Sequence, residues 1–274
     1  MQERARIFIM KPYQNRIVVK VGTSTLTNEL GKSDLRCFDR LACVLSDIQN
    51  MGYEVVLVSS GAIAVGRNKL NMTSKPDSMR MKQAAAAVGQ CSLMYLYDKF
   101  FGDYDKTVAQ ILLNAEDIEQ EEKKENLINT FNALLEMGVI PIVNENDSVS
   151  YKEIESEDRL FGDNDMLSAV VAVLCRARHL VILSDIDGFY DHDPRLYPNA
   201  KLIEQIDTID DSVYALAGGA GSRRGTGGMR TKLQAAALAT SQGTDTIVTN
   251  GKHPEALYDI VKGLHAGTLF PGKI

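Results

Sequence analysis

Short apolar runs rich in β-branched residues alternate along this chain with longer segments of helical periodicity. The strand candidates lie at residues 16–21, 53–59, 108–113, 139–143, 179–184 and 245–248. The helix candidates lie at 34–51, 60–66, 78–101, 164–175, 229–242 and 255–262, with a further helix that starts in the charged stretch 116–125 and ends near residue 137. Short strands separated by amphipathic helices are typical of a mainly parallel sheet covered on both faces. We therefore predict a three-layer α/β/α sandwich with a mainly parallel central sheet.

Composition narrows the class of protein without naming an activity. The 274 residues are 45% hydrophobic and 24% charged, as in ordinary globular proteins. A net charge of −6 disfavours a nucleic-acid binder, which usually carries a basic surplus. The four cysteines form no C-x-x-C pair, and the four histidines show no metal-ligand spacing. No apolar run reaches the roughly 18 residues of a membrane span, so we expect a cytoplasmic protein with no membrane partner.

A glycine-rich segment precedes the helix candidate at 229–242. Six of the eleven residues from 218 to 228 are glycine, and Lys232 follows where helical periodicity begins. Glycines let backbone N–H groups approach a ligand closely, and a helix N-terminus with a lysine adds positive potential. The segment therefore indicates an anion site, most plausibly for nucleotide phosphates, although a flexible surface loop has similar composition. It is not a Walker A loop, since G-x-x-x-x-G-K-[ST] occurs nowhere in the chain.

Polar residues follow the strand candidates at the places where open α/β sheets bind ligands. Lys20 lies near the end of an apolar run, where burying its charge is costly without a partner, unless the strand is an edge strand. Gly22 follows it, and Ser60 and Gly61 follow the second strand. A serine there suits an anion, but it also suits simple N-capping.

Two further clusters combine amide and carboxylate side chains. The string 144–147 reads Asn-Glu-Asn-Asp directly after an apolar strand, and 162–165 reads Gly-Asp-Asn-Asp. Together they indicate a substrate that carries both positive and negative groups, whereas either one alone is compatible with ordinary turn chemistry. Ser184 and Asp185 end another strand and could contact a nucleotide, or form only an Asp-Gly turn.

These strings, in this order over residues 16 to about 270, closely resemble the amino acid kinase family. The likeness is greatest to members that phosphorylate the side-chain carboxylate of L-glutamate with ATP, the first step of proline biosynthesis. It implies a catalytic set of Lys20, Lys232 and Asp165. It implies glutamate-binding residues Ser60, Gly61, Asn144, Asp147, Asp163 and Asn164. It implies nucleotide-binding residues Lys20, Gly22, Ser184, Asp185, Thr226, Gly227, Gly228, Met229, Arg230, Thr231 and Lys232.

The resemblance also implies partners and a domain division. ATP and Mg²⁺ are expected, with the metal bound mostly by the nucleotide and water. Proline is expected as a feedback inhibitor acting near the loop 148–161, and a homodimer or homotetramer is expected. We assign residues 1–15 to an N-terminal extension and 16–274 to the kinase domain, with no C-terminal PUA domain. Two alternatives stay open: a sibling kinase acting on acetylglutamate, aspartate, carbamate or UMP, and a catalytically weak amino-acid sensor.

Overall fold

The computed structural model describes residues 12–28, 32–149, 164–217 and 228–273. The strands are β1 (Tyr13–Val21), β2 (Glu54–Ser59), β3 (Val108–Leu113), β4 (Ile140–Glu145), β5 (Ala177–Ser184), β6 (Phe189–Tyr190), β7 (Leu202–Ile203), β8 (Asp245–Asn250) and β9 (Thr268–Phe270). The helices are α1 (Thr23–Leu26), α2 (Leu35–Asn50), α3 (Ala62–Lys69), α4 (Met79–Gly102), α5 (Glu116–Glu119), α6 (Glu121–Glu136), α7 (Asn164–Leu174), α8 (Asp211–Leu216), α9 (Met229–Ser241) and α10 (Ala256–Val261).

A seven-stranded sheet in the order β3-β4-β2-β1-β5-β8-β9 forms the centre of the molecule. The pairs from β3 to β8 are parallel, and β9 pairs antiparallel with β8. Side chains alternate between two cores, as the pleat of a strand requires. On β1, Val18 packs into the core beneath α6, α7 and α9, whereas Ile17 and Val19 pack into the core beneath α2, α3, α4 and α10. The predicted three-layer sandwich with a mainly parallel sheet is confirmed.

Several boundaries differ from the sequence-based expectation. Strand β1 begins at Tyr13, three residues before the predicted start, and the charged stretch 116–125 contains two helices separated at Gln120. The short elements α1, β6, β7, α8 and β9 were not predicted, because elements of two to six residues show no readable periodicity. Asp34 caps α2 by accepting hydrogen bonds from the backbone N–H groups of Arg36 and Cys37.

Helices α3 and α4 cross with their backbones in contact. A Cβ atom on Gly66 of α3 would lie 1.8 Å from the carbonyl oxygen of Ala85, and one on Gly89 of α4 would lie 1.7 Å from that of Ala62. Glycine is therefore required at both positions for steric reasons. The crossing fixes the beginning of α3, which follows directly from β2.

The carboxyl ends of the parallel strands lie together at one end of the sheet, here called its carboxyl edge, in the order β3, β4, β2, β1, β5 and β8. The chain leaves β1 toward β2 on one side, and it leaves β5 toward β8 on the other. Ligands of open α/β sheets bind where the direction of the connections reverses in this way, which is here between β1 and β5. Within the described ranges, no helix combines the length and apolar character needed to cross a bilayer.

Candidate active site

A buried carboxylate lies between two lysines at the centre of this edge. Lys20 Nζ on β1 is 2.6 Å from Asp165 Oδ1, and Lys232 Nζ on α9 is 2.9 Å from Asp165 Oδ2. Asp165 is fully buried at the start of α7, and the two lysines are only 6% and 7% exposed. Three residues separated by up to 212 positions in the sequence thus form one cluster. The structure brings together all three members of the predicted catalytic set.

The electrostatics of this cluster favour an ionised aspartate. Burial opposes ionisation of the Asp165 carboxyl, but the ammonium groups of Lys20 and Lys232 outweigh burial and lower its pKa to about 2. Asp165 is therefore a poor general base at neutral pH, because its affinity for a proton is too low at a pKa this far below 7. Two ammonium groups and one carboxylate give the cluster a net positive charge. Such a charge at a strand edge suits an anionic ligand.

The beginning of α9 lies against the same carboxylate. The Thr231 hydroxyl is within hydrogen-bond distance of two acceptors, Asp165 Oδ2 at 3.0 Å and the Gly228 carbonyl at 2.9 Å. Gly228 is the N-cap of α9 and provides no side-chain cap, and the first N–H groups of a helix lack partners within it. The N-terminus of α9 therefore adds positive potential beside Lys232. Met229 is half-buried and Arg230 is exposed near the Tyr214 ring.

Three of the predicted glutamate residues lie beyond β2 and β4. The Ser60 backbone N–H donates to the Val21 carbonyl at 3.1 Å, which joins the ends of β2 and β1. Gly61 has φ of 102°, a left-handed conformation that favours glycine, and it is the N-cap of α3. Asp147 is half-buried in the turn after β4. These three residues lie on the β2–β4 side of Lys20, because β2 and β4 follow β1 in the sheet order.

Asn144 and Asn164, two further predicted glutamate residues, are hydrogen-bonded to each other beside the end of β2. The Asn144 side chain is 2% exposed; its Nδ2 donates to Gln90 Oε1, and its Oδ1 accepts from the Glu145 backbone N–H. Asn164 Nδ2 donates to Asn144 Oδ1 at 2.9 Å and to the Ser59 carbonyl at 2.8 Å. Both Asn164 amide hydrogens are thus used within the protein. These hydrogen bonds use one hydrogen of Asn144 Nδ2 and do not involve Asn164 Oδ1, so the assignment of both residues to glutamate binding stays a prediction.

The predicted nucleotide residues lie on the opposite side of Lys20. Ser184 ends β5 and is buried, and its carbonyl accepts from the Gly251 N–H at 2.7 Å. Asp185 is exposed, and its Oδ2 is 3.0 Å from a guanidinium nitrogen of Arg195. Gly22 adjoins Lys20, and a Cβ atom there would be 3.6 Å from Lys20 Nζ. The predicted residues Asp163, Thr226 and Gly227 lie outside the described residues.

A separate cavity of about 760 Å³ lies against α3 and α4. Its lining includes Lys32, Lys69, Met72 and Tyr95 and contains none of the predicted site residues. The chemistry of the buried lysine–aspartate cluster is therefore independent of this cavity.

Sequence reasoning missed Gln90, Tyr97 and Arg195. Gln90 and Tyr97 lie in the middle of α4; Gln90 contacts Asn144, and the Tyr97 hydroxyl is 2.7 Å from Ser59 Oγ. An amide or phenol inside a helical pattern carries no local signal of a distant partner. Arg195 lies in a loop between β6 and β7, and its pairing with Asp185 likewise depends on tertiary structure.

Comparison with known proteins places this geometry in a wider context. The model of the amino acid kinase family matches residues 15–250. Glutamate 5-kinase from Clostridium perfringens is 57% identical over 258 residues, covering 94% of this chain and 96% of the relative. Glutamate 5-kinase from Listeria innocua is 50% identical over 258 residues, covering 94% and 93%.

Solved structures share the fold at low identity. UMP kinase from Bacillus anthracis aligns with a TM-score of 0.64 at 16% identity, covering 96% of this chain and 98% of that one. Carbamate kinase from Giardia lamblia bound to AMP-PNP aligns with a TM-score of 0.66 at 16% identity, covering 96% and 99%.

Proposed function

This chain belongs to the amino acid kinase family, and we propose from that premise how its residues transfer the γ-phosphoryl group of ATP to L-glutamate. The acceptor is the side-chain carboxylate, the product is L-glutamyl 5-phosphate, and the reaction is the first step of proline biosynthesis. The observation that supports the residue roles best is the buried cluster of Lys20, Asp165 and Lys232, which lies between the β2–β4 side and the β5 side of the carboxyl edge.

The reaction needs positive charge more than it needs a base. The glutamate side chain has an ordinary pKa of about 4.3, so the nucleophile is already ionised at neutral pH. It must approach a polyanionic triphosphate, and two like charges about 4 Å apart repel by roughly 4 kcal/mol at an effective dielectric of about 20. Lys20 and Lys232 offset this repulsion by contacting the transferring phosphoryl group. Catalysis then consists of positioning and charge stabilisation.

Asp165 acts as a positioning residue for the two lysines. Its two carboxylate oxygens each bind one ammonium group, so Lys20 and Lys232 are held on either side of it. Since its pKa is lowered to about 2, it stays ionised and keeps both contacts throughout the neutral range. Lys20 lies near the end of β1 and Lys232 lies in the first turn of α9, so the phosphoryl group would meet the lysines from two different elements.

Glutamate would lie on the β2–β4 side. Asp147 pairs with its α-ammonium group, and Ser60 with the N-terminus of α3 binds carboxylate oxygens. Asn144 and Asn164 hold these segments in place through their mutual hydrogen bond and are proposed, as predicted, to contribute to glutamate binding. The nucleotide would lie on the β5 side, against Ser184, Asp185 and the segment from Thr226 to Lys232, of which 228–232 is described.

Mg²⁺ is proposed to enter with the nucleotide, and it would screen the phosphate charges when bound. Both Asp165 oxygens contact lysines, which makes this carboxylate unsuited to a metal. Across the described ranges, no group of three or more His, Cys, Asp or Glu side chains is arranged to hold a metal ion. Phosphate oxygens and water are therefore the proposed ligands.

Hydroxamate formation that depends on both ATP and glutamate tests the function. ADP release, which all of these reactions share, should show a preference for L-glutamate over acetylglutamate, aspartate, carbamate or UMP. A preference for one of these others would favour the sibling kinase, and no turnover with any of them would favour the amino-acid sensor.

Asp147→Ala tests the acceptor site within this assay. The glutamate KM should rise by about two orders of magnitude, because the α-ammonium group loses its charged partner, while the ATP KM stays near that of the wild type. An unchanged glutamate KM would remove Asp147 from the site.

Proline inhibition is part of the proposal. Proline carries an α-carboxylate and an α-ammonium group, as glutamate does, although its ammonium is secondary, and it would compete near Ser148 and Val149, the described start of the loop 148–161. Purified enzyme that is indifferent to proline would contradict it. The cytoplasmic homo-oligomer and the domain division at residue 16 stay predictions.

A further inference from the structure

Four side-chain amides form a continuous chain of hydrogen bonds that ends beside the catalytic cluster. Asn164 Nδ2 donates to Asn144 Oδ1 at 2.9 Å, and Asn144 Nδ2 donates to Gln90 Oε1 at 2.9 Å. Gln90 Nε2 then donates to Gln110 Oε1 at 3.1 Å. Every amide passes its N–H to the oxygen of the next, so all four are oriented in one direction. We call these four residues the amide relay.

The relay depends on Gln90 because its neighbour Asn144 is buried. An amide N–H that loses its acceptor while buried retains the full cost of leaving water. Rotation of the Asn144 amide would also turn its N–H toward the Asn164 N–H and the Glu145 N–H, both of which now donate to Asn144 Oδ1. Hydrogen bonds in such a chain polarise one another. Gln90 Oε1 therefore stabilises the orientation of Asn144 that the Glu145 and Asn164 N–H groups also require.

The relay joins the segments that carry the proposed glutamate ligands. Asn144 lies three residues before Asp147, and Asn164 immediately precedes Asp165. Asn164 also donates to the Ser59 carbonyl, one residue before Ser60. The ends of β2 and β4 and the start of α7 are thus cross-linked by side chains rather than by strand pairing alone.

Helix α4 provides a rigid base for this cross-link. Gly89, adjacent to Gln90, is in backbone contact with Ala62 of α3. About two turns further along α4, Tyr97 is fully buried, and its hydroxyl is 2.7 Å from Ser59 Oγ. Gln90 is therefore fixed relative to the beginning of α3, where the proposed carboxylate-binding residues lie.

We infer that Gln90 is a positioning residue for the acceptor amino acid: through Asn144 and Asn164 it sets the spacing between the Asp147 and Ser60 segments. The inference rests on the proposed function, since it assigns Gln90 to the glutamate half of that site. Gln90 lies on α4 and donates to Gln110 on β3, which is separated from β5 by β4, β2 and β1 in the sheet order. Its loss should therefore weaken glutamate binding and leave ATP binding unchanged.

Steady-state kinetics of Gln90→Met and Gln90→Glu test the inference. Methionine keeps the length and helix propensity of glutamine but provides no comparable acceptor, so the glutamate KM should rise about tenfold at an unchanged ATP KM. The carboxylate that Gln90→Glu introduces keeps an oxygen for Asn144 Nδ2, and the exposed side-chain amide of Gln110 can turn to donate to this carboxylate. Gln90→Glu should therefore restore the glutamate KM to within about threefold of wild type.

Gln49→Met is the matched control. Gln49 Nε2 donates to the Gly138 carbonyl at 2.9 Å at an exposed site before the start of β4, at the opposite edge of the sheet. This variant should leave both KM values unchanged. Gln110→Met provides a second variant that leaves α4 intact, and it should raise the glutamate KM about threefold.

The outcomes separate the two proposals. Wild-type enzyme that shows no glutamate-dependent turnover would overturn the proposed function before any variant is compared. Active wild type with an unchanged glutamate KM in Gln90→Met would overturn the role of Gln90, as would equal rises in the glutamate and ATP KM values. If Gln90→Met fails to fold, an unchanged glutamate KM in Gln110→Met would overturn it instead.

Discussion

Replacing Asp165 with asparagine tests the central electrostatic claim. The change keeps the shape of the side chain but removes the negative charge between Lys20 and Lys232. One carboxylate oxygen becomes an NH₂ group, which cannot accept a hydrogen bond from an ammonium group. One of the two lysines, now 2.6 and 2.9 Å from the carboxylate, would then face a donor.

The size of the effect follows from these distances and from burial. Two opposite unit charges about 2.6 Å apart attract by roughly 6 kcal/mol at an effective dielectric of about 20. Desolvation of the buried groups opposes this attraction, and removing one partner of a buried pair typically costs about 3–5 kcal/mol. We expect Asp165→Asn to lower the free energy of unfolding by about that amount at pH 7. For a chain of this size the melting temperature should fall by about 6–20 °C.

The pH dependence gives an independent check. The pKa of Asp165 is about 2 in the folded protein, below its ordinary value of 3.8. A lowered folded-state pKa stabilises the protein fully above the unfolded-state pKa, and the stabilisation is lost as pH falls through the folded-state pKa. Denaturant unfolding of wild type and variant should therefore differ most above about pH 5 and converge as the pH approaches 2.

Catalysis should fall together with stability. Misplaced lysines no longer meet the phosphoryl group, so kcat should drop at least about 100-fold. Asp245→Asn is the matched control. Like Asp165, Asp245 pairs with a cationic side chain, Arg178 at 3.0 Å, but it begins β8 at the opposite end of the sheet. It should leave kcat unchanged. A kcat of Asp165→Asn within twofold of wild type, or equal denaturation midpoints at pH 7, would refute the reasoning.

Three further predictions address the site and the fold. Lys232→Met should lower kcat about 100-fold with little change in the glutamate KM, since the lysine acts on the phosphoryl group; an intact kcat in single-turnover measurements would contradict this. Gly66→Ala should destabilise the protein by at least about 2 kcal/mol in denaturant unfolding, because its Cβ would lie 1.8 Å from a backbone oxygen, whereas Gly102→Ala, with nothing within 4 Å, should be neutral or stabilising. Arg16→Met should cost about 1–3 kcal/mol of stability, because it removes the hydrogen-bond donor to the Cys175 carbonyl and to the half-buried Glu54 carboxylate. It should leave kcat unchanged, because Arg16 and Glu54 lie near the beginning of β1 and β2; a change in kcat alone would contradict it.

The sheet and its main helices could be predicted because their signals are local. The run 16–21 is strongly β-branched, and Asp34 shows its capping role in the sequence itself. Lys20 was informative for the same reason: a charge inside an apolar run requires a partner, which the structure provides as Asp165. In such cases the cost of burial can be read from a single residue and its neighbours.

The remaining features depend on contacts that no local pattern reveals. Asn144 and Asp147 belong to one polar string, yet Asn144 is buried and bonded internally while Asp147 is half-buried in a turn. The sequence presents both as possible ligands, because side-chain type does not show which way a side chain points. Strand β9 was missed because it is three residues long and antiparallel, a pairing that depends on β8 being an available edge.

The sheet order also places the residues proposed for acceptor binding and those proposed for phosphoryl transfer in different parts of the site, a separation that the sequence alone does not show. Lys20 on β1 lies between the proposed acceptor elements on β2 and β4 and the proposed nucleotide elements on β5, and Asp165 connects it to Lys232 from the β5 side. On our inference, a change in the amide relay would alter the spacing of the proposed acceptor elements without touching either lysine. Acceptor affinity and phosphoryl-transfer rate should therefore vary independently in variants of this chain. Combining Asp147→Ala with Lys232→Met tests this directly: the effects on kcat/KM should add in free energy to within about 0.5 kcal/mol, because Asp147 follows β4 whereas Lys232 lies on α9, on the other side of Lys20. Strong coupling between them would mean that the two halves of the site act as one unit.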